Sequence, residues 1–165
     1  MNGDRLRSGP LTRALLVVLG VFFGLVPGIW AAVLPESFYG DFPAVRPPWV
    51  AVDGPYNEHL IRDVGAMFLA LAVIAVVAAV TGSSAQARLA GLAWLMFSVI
   101  HFAYHVTHLH VYEALDQWLN VIGQLATILV AAAVLLIPPT RSDAPDRQGL
   151  WDPVRSNGTS GAAGR

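Results

Sequence analysis

The sequence has no cysteine and no lysine, and only 13% of its 165 residues are charged. The absence of cysteine excludes disulfides, thiol redox chemistry, thiolate metal sites and iron–sulfur clusters. A soluble domain of this size carries about a quarter charged residues, so the shortfall indicates that a bilayer is part of the solvent. The net charge of −1 gives no reason to expect a nucleic-acid partner.

Long apolar runs take the place of the missing charge, since 55% of the residues are hydrophobic and the mean hydropathy is +0.56. Four stretches stand out, at about 11–34, 60–80, 87–109 and 118–137. Each can cross about 30 Å of hydrocarbon as a helix, and the runs are too continuous to be barrel strands. The first is too long for the core of a signal peptide, so we expect an uncleaved helix.

This pattern predicts an all-α membrane protein, a four-transmembrane-helix bundle over residues 11–137. Residues 1–10 are expected to form an N-terminal tail. Residues 138–165 are rich in Pro, Gly, Ser, Asp and Arg and cannot bury enough apolar surface, which predicts a disordered tail. The lipid bilayer is expected to surround the bundle.

The arginines predict the orientation of the bundle. Eight of the ten arginines lie before or at the start of the first stretch, at the start of the third, or after the fourth, and only Arg46 and Arg62 lie on the other side. This bias predicts a multi-pass protein with both termini in the cytoplasm. Because every basic residue is Arg and Ala and Gly are abundant, we expect a bacterium with a GC-rich genome and hence the bacterial plasma membrane.

The first outer loop, residues 35–59, is unlike a flexible linker, because five aromatic residues lie among its five prolines. It is expected to form either an ordered cap over the bundle or an anchor at the headgroup level. In the first stretch, Gly20, Gly24 and Gly28 recur at a spacing of four, which lets another helix approach closely. That helix could belong to a second copy or a partner protein, but we expect packing within the chain. Pro27 is expected to kink this helix.

Four of the five histidines lie between residues 101 and 110. On a helix, His101, His105 and His108 share one stripe, and Tyr104 lies beside them. Polar side chains at membrane depth usually face the bundle interior and indicate a functional site.

The neighbouring helices bring polar residues to the same level. The second begins with two pairs at i and i+4, which are Glu58 with Arg62 and His59 with Asp63. The fourth presents Asn120 and Gln124. Together they predict a polar chamber in the outer half of the bilayer, closed below by apolar side chains.

Three interpretations of this chamber stay open. One is a zinc, iron or copper site drawn from His59, Asp63, His101, His105 and His108, with haem held by two histidines as a variant. Another is an acid–base or proton-relay site that binds a headgroup or a quinone-like molecule. The third is a purely structural set of pairs, which is consistent with the lack of HExxH, GxSxG and P-loop motifs.

The segments FYGDFP, RPPWVAVDGPYNEHLIRDVGAMFLALAV and HFAYHVTHL resemble a group of small four-helix integral membrane proteins of GC-rich Gram-positive bacteria. The likeness covers about residues 11–137 and implies the four-helix topology. The topology alone is also similar to the wider DoxX-like class, which includes quinone-linked and redox-associated subunits.

The resulting hypothesis is an integral membrane protein whose chamber, lined by Glu58, Arg62, Tyr104, Asn120 and Gln124, binds a metal or a small polar ligand. Whether it is an enzyme stays open. The alternative is a non-catalytic scaffold or accessory subunit that docks through the glycines of the first helix, as a homo-oligomer or in a membrane complex.

Overall fold

A computed structural model describes residues 6–141, and most of the predicted C-terminal tail lies outside this range. Its α-helices are α1 (Pro10–Val33), α2 (Pro35–Asp41), α3 (Glu58–Thr81), α4 (Ser84–Thr107) and α5 (Ala114–Leu136). A 3₁₀ turn, Leu109–Val111, joins α4 to α5. All but α2 are long and apolar enough to cross a membrane. The predicted all-α bundle of four membrane helices is therefore confirmed, and the chain is a multi-pass membrane protein.

The four long helices alternate in direction and form a ring in which each packs on its two neighbours. The most extensive contacts join α1 to α3 and α4 to α5. Residues 34–57 and 108–113 lie at one end of the bundle, which we call the loop end. The N-terminal segment and the α3–α4 turn lie at the other, which we call the terminal end. All four long helices therefore reach both ends.

Polar caps set the starts of α3 and α4, which lie two and three residues before the apolar stretches, whereas α4 ends at Thr107, two residues before its stretch does. The Asn57 side chain accepts a hydrogen bond from the amide of Leu60 at 3.1 Å, so α3 begins at Glu58. Gly82 ends that helix with a left-handed φ of 66°. Ser83 then caps α4, which begins at Ser84 rather than at Ala87. Hydropathy locates the apolar core of a helix, whereas the cap decides where the helix begins.

The predicted small-residue face of α1 is buried against α3 of the same chain. A Cβ atom added at Gly20 would lie 2.9 Å from Val76, and one at Gly24 would lie 2.7 Å from Ala72. Gly65 of α3 likewise abuts the backbone of α1. Close backbone approach is the reason for these glycines. The structure shows packing within the chain, as expected. Docking of a partner through Gly20, Gly24 and Gly28, the predicted alternative, is not what the structure shows, because α3 already occupies that face.

A π-helical segment, Val18–Leu25, interrupts α1 on the N-terminal side of Pro27. The amide of Val26 donates to the carbonyl of Val21, five residues earlier. Proline lacks the amide that would continue the regular ladder, and a π turn is one way in which a helix accommodates that loss. The irregularity of α1 is thus a change of hydrogen-bond register beside the proline.

The segment before α1 is hydrogen-bonded to the α3–α4 turn and to the segment after α5, which lie beside it at the terminal end. Arg7 and Thr140 exchange backbone hydrogen bonds of 2.9 and 2.8 Å, and the amide of Ser8 donates to Gly82 at 2.9 Å. Arg13 also donates to the carbonyl of Ala79 at 2.8 Å, which satisfies a free group at the end of α3. Thr140, which lies in the segment predicted to be a disordered tail, is therefore held by backbone hydrogen bonds, and residues 142–165 lie outside the described range.

Replacing Gly24 by Ala is expected to destabilise the bundle, because the new Cβ would meet Ala72, whose own Cβ cannot rotate away. Overpacking of this kind costs about 1–3 kcal/mol. The matched control is Gly123→Ala in α5, where nothing lies within 4 Å of the new atom. Unfolding in mixed micelles, followed by circular dichroism, measures both. Equal stability of the two variants would contradict the close α1–α3 contact.

Candidate functional site

The first loop folds back over the loop end around an aromatic cluster. The ring of Phe38 lies 4.9 Å from Phe42 and 5.7 Å from Trp30. The hydroxyl of Tyr39 donates to the carbonyl of Gly54 at 2.9 Å, which closes the loop on itself. Bulky rings at this density bury enough area to give a polar, proline-rich segment its own small core. We call residues 34–57 the loop cap.

A single carboxylate joins the loop cap to α5. Arg46 donates to both oxygens of Asp116, with Nε–Oδ1 at 2.8 Å and Nη2–Oδ2 at 2.9 Å. The indole of Trp49 donates to Oδ1 at 3.1 Å. The side chain of Asp116 is only 3% exposed and that of Arg46 is 28% exposed. Two hydrogen bonds from the guanidinium and one from the indole compensate the buried negative charge of Asp116 and occupy both of its oxygens.

This pair was not found in the sequence. The two residues are 70 positions apart, so no local spacing connects them. The sequence pointed to Arg46 only as an arginine on the minority side, and it gave no signal for Asp116. The hydrogen bond to Asp116 is also the main reason why the pKa of Arg46 is raised above its ordinary value. The bond to Asp116 therefore favours the charged form of the guanidinium.

Tyr112 lies directly beneath this contact and connects the loop cap to α4. Its hydroxyl donates to the carbonyl of Trp49 at 3.3 Å and lies 3.4 Å from Nδ1 of His105. Gln117 holds the backbone of Tyr112 through a 2.9 Å bond to its carbonyl. The residue is 7% exposed, and burial raises the pKa of its phenol to about 12. Tyr112 is thus a neutral hydroxyl held between a loop carbonyl and an imidazole.

From Tyr112 a column of rings descends along α4 toward the middle of the bundle. His105 meets His101 edge-on, with ring centroids 4.5 Å apart. His101 stacks on Phe97 at 5.1 Å, and Phe97 meets Phe68 of α3 at 5.2 Å. The predicted stripe therefore brings His101 and His105 together. We call Tyr112, His105 and His101 the histidine column.

His108 belongs to a separate, more exposed arrangement. Its ring stacks on Tyr104 at 4.1 Å, and its Nδ1 lies 2.8 Å from the carbonyl of the same tyrosine. The hydroxyl of Tyr104 donates to Asp53 of the loop cap at 3.4 Å. The chain leaves the helix at Thr107, so His108 no longer follows the helical stripe that relates it to His101. These contacts join α4 to the loop surface.

The polar pairs at the start of α3 form as predicted but do not line an enclosed chamber. Arg62 donates to Glu58 at 2.9 Å and also to the carbonyl of Ala32 at the end of α1. His59 and Asp63 are 3.3 Å apart, yet their side chains are 89% and 63% exposed. The helical spacing predicts each pair, whereas the direction in which the pair points depends on how α3 packs. Here both pairs face away from the core.

The proposed metal ligands are not assembled into one site. Among residues 6–141, no group of three or more histidine, aspartate or glutamate side chains is placed to hold a metal ion. His101 and His105 meet through their rings, while His59 and Asp63 form their own exposed pair. A zinc site needs about four ligands around one point, and a catalytic one needs three from the protein. The geometry therefore does not fit zinc, iron or copper here.

Buried polar side chains lie on both α4 and α5 on the terminal side of the column. Asn120 is 4% exposed, and its Oδ1 accepts a hydrogen bond from the Gln124 amide. Ser98 of α4 is 3% exposed and was missed in the sequence, where a lone serine in an apolar helix carries no signal. The Ser98 hydroxyl oxygen and Gln124 Oε1 are buried without a hydrogen-bond partner. Buried polar atoms are usually paired, so these two call for an explanation.

An apolar groove of about 350 Å³ lies elsewhere, on α1 near the loop end. It is lined by Leu25, Val26, Ile29, Trp30, Val33 and Leu34. Most of these side chains are exposed, as lipid-facing residues of a membrane helix are. The groove is therefore part of the bilayer-facing surface and does not coincide with the histidine column.

Separate replacement of Arg46 by Met and of Asp116 by Leu is expected to destabilise the protein more than the double replacement does. Each single change leaves one charge of the forked pair uncompensated, whereas the double change removes both. A double-mutant cycle of unfolding in mixed micelles measures this coupling. Strictly additive losses would show that the pair does not hold the loop cap. Arg62→Met, in the exposed pair with Glu58, is the matched control.

The stability of the wild type is expected to fall between pH 10 and 12. Because the pKa of Tyr112 is raised to about 12, the unfolded chain loses this proton first, and alkaline pH favours unfolding. Below pH 10 the phenol is neutral in both states and stability does not change through it. Relative to Tyr112→Phe, the extra loss is about 2 kcal/mol. Unfolding of both proteins at pH 9 and 12 measures it, and parallel losses would contradict the burial of the phenol.

Comparisons of the chain with models of protein families, with curated proteins and with solved structures gave no match. The function of the chain is therefore argued from the geometry of its own side chains.

Proposed function

We propose that this chain is an integral protein of the bacterial plasma membrane that binds a small polar ligand at the histidine column, beneath the loop cap. The observation that carries the proposal is the column itself. Tyr112, His105 and His101 lie in contact from the loop cap toward the middle of α4. The Tyr112 hydroxyl already donates to the Trp49 carbonyl. Neutral imidazole offers one donor and one acceptor, so the imidazoles of His101 and His105 supply the hydrogen-bonding atoms for a ligand.

The cost of placing imidazoles at this depth supports a binding role. Ionisable side chains in membrane helices are expensive to bury, and they usually mark a ligand or proton pathway. His101 is held chiefly by rings, stacked on Phe97 and edge-on to His105. An apolar ring would make the same contacts at lower cost. The nitrogen atoms of His101 therefore favour a partner that forms hydrogen bonds.

Other residues already do the structural work that the third interpretation assigned to the histidines. The loop cap is tied to α5 by Arg46, Trp49 and Asp116. The end of α1 is tied to α3 by Arg62. Within the column, Tyr112 also joins the loop cap to α4, so the residue whose nitrogen atoms have no such structural role is His101. A ligand or proton-relay site is favoured over a metal site, since the described residues bring no third ligand to the histidines.

The distribution of charge supports an extracytoplasmic loop end. Arg7, Arg13, Arg88 and Arg141 lie at the terminal end, whereas most acidic residues of the described range lie at the loop end. Arginine is retained on the cytoplasmic side of membrane proteins. With both termini inside, the ligand reaches the column from the outer half of the bilayer.

The alternative of a scaffold that docks through the glycines of α1 has no accessible docking surface there. The glycines of α1 are covered by α3, so they offer no face to a partner. The resemblance to small four-helix proteins and to the DoxX-like class is a likeness of topology, and it neither adds to nor removes support for a ligand site.

Native mass spectrometry of the protein released from its own membranes tests the proposal. We expect a small-molecule adduct on the wild type that falls at least about tenfold in His101→Phe, which is 1.4 kcal/mol of binding free energy. This change keeps the ring contacts and removes both nitrogens. His59→Phe, at an 89% exposed side chain, is the matched control and is expected to keep the adduct.

Two results would overturn the proposed function. One is a wild type without an adduct. The other is an adduct of equal abundance in wild type and His101→Phe, since the nitrogen atoms would then make no contribution. Circular dichroism of both variants confirms that the helices have formed, so that loss of the adduct is not loss of the fold.

A further inference from the structure

The buried polar pair beneath the column lies where α4 and α5 face each other. Gly91 of α4 marks their closest approach, because a Cβ there would lie 3.1 Å from the backbone of Ala131 and of Leu135. Ser98 is seven residues after Gly91, and Gln124 is seven residues before Ala131. Seven residues are close to two helical turns, so both side chains return to the contacting faces at about the same depth.

The two side chains offer complementary hydrogen-bonding atoms without using them on each other. The Gln124 amide nitrogen is engaged by Asn120, which leaves Oε1 of Gln124 as a free acceptor. The hydroxyl oxygen of Ser98 is buried and also lacks a partner. A hydroxyl can both donate and accept, so Ser98 can adjust to whatever group it meets. Such unpaired atoms in a hydrocarbon environment are costly unless a partner satisfies them.

The surface beside Gln124 is open to the bilayer. Gly123 is exposed, and nothing lies within 4 Å of the position that a Cβ would take. Its neighbour Ile122 is 58% exposed and therefore faces lipid. Because residue 123 is glycine, α5 has no side chain at this position that would cover its neighbour Gln124. A molecule dissolved in the membrane can approach the polar pair laterally at this point.

We propose that Ser98 and Gln124 bind the hydroxyl group of a membrane-soluble alcohol or phenol, which reaches them past Gly123 while its apolar body stays in the bilayer. The ligand O–H donates to Oε1 of Gln124, and its oxygen accepts from the Ser98 hydroxyl. A ketone or ether could accept from Ser98 but would place a second oxygen acceptor against Gln124. This inference rests on the proposed function and narrows the ligand to an amphipathic one, whose single polar group is a hydroxyl.

The position of the pair relative to the histidine column fits a ligand of this kind. Ser98 precedes His101 by three residues, which is about 4.5 Å along the helix axis. A hydroxyl bound at Ser98 and Gln124 lies at the lower end of the column. The ligand would therefore bring its one polar group to the part of the bundle where hydrogen-bonding atoms are concentrated.

Photolabelling of the full chain in lipid nanodiscs tests the proposal. The probe is a diazirine derivative of 1-octanol, and its methyl ether, which cannot donate, is the control compound. We expect the alcohol to label the facing segments of α4 and α5 at least about tenfold more than the ether, with the labelled residues identified by tandem mass spectrometry. Ser98→Ala and Gln124→Met are each expected to reduce labelling by the alcohol to the level of the ether.

Two further variants separate the binding site from its access route. Gly123→Leu fills open space and leaves both polar side chains intact, so it is expected to reduce labelling without unfolding the protein. Thr127→Val is the matched control on the same helix, because the Thr127 hydroxyl already donates to the carbonyl of Gly123 at 3.1 Å. It is expected to label as the wild type does.

Equal labelling by the alcohol and the ether, or undiminished labelling of Ser98→Ala and Gln124→Met, would overturn the proposal. A water molecule that satisfies the pair would give this same result. The outcome is distinguishable from failure of the proposed function. If the wild type carries an adduct that His101→Phe loses, while alcohol and ether label equally, the ligand site stands and the hydroxyl class is wrong.

Discussion

The buried carboxylate of Asp116 is the point on which the loop end of this protein depends. A charge that is 3% exposed at the end of a membrane helix needs compensation, and Arg46 with Trp49 supplies it from the loop cap. Trp49 in turn accepts a hydrogen bond from Tyr112, which lies against His105. The position of the loop cap and of the first ring of the histidine column therefore follow from one electrostatic requirement.

The two helix pairs of the bundle are built differently, and this difference locates the candidate site. The middle of the α1–α3 pair is closed by glycine and alanine, with Gly24 against Ala72, and its polar contacts lie at the two ends, where Arg13 and Arg62 donate to backbone carbonyls. The α4–α5 pair also approaches closely at Gly91, where an added Cβ would lie 3.1 Å from the backbone of α5, but it carries Ser98 and Gln124 toward the loop end. Lipid provides no hydrophobic driving force between helices, so close packing holds the α1–α3 pair together. In the α4–α5 pair, polar residues lie between the helices as well.

The histidines do not form a single cluster but lie in separate arrangements with different contacts. His59 is an exposed partner of Asp63, and His108 stacks on Tyr104 at the surface. Only His101 and His105 enter the bundle in mutual contact. The proposed function therefore concerns these two rings, and the further inference concerns the polar atoms just below them. A metal is disfavoured because two imidazoles that meet ring to edge do not converge on one point with a third ligand.

The sequence by itself determined the four membrane helices, since apolar length is a local property. It also correctly paired Glu58 with Arg62 and His59 with Asp63, because residues four apart lie on the same face of a helix. Only the tertiary structure decided that the pairs face outward, that the glycines of α1 serve α3, and that Arg46 finds Asp116 across 70 residues. The burial of Ser98 was decided in the same way. Periodicity specifies which residues share a helix face, whereas the packing of the other helices decides what that face meets.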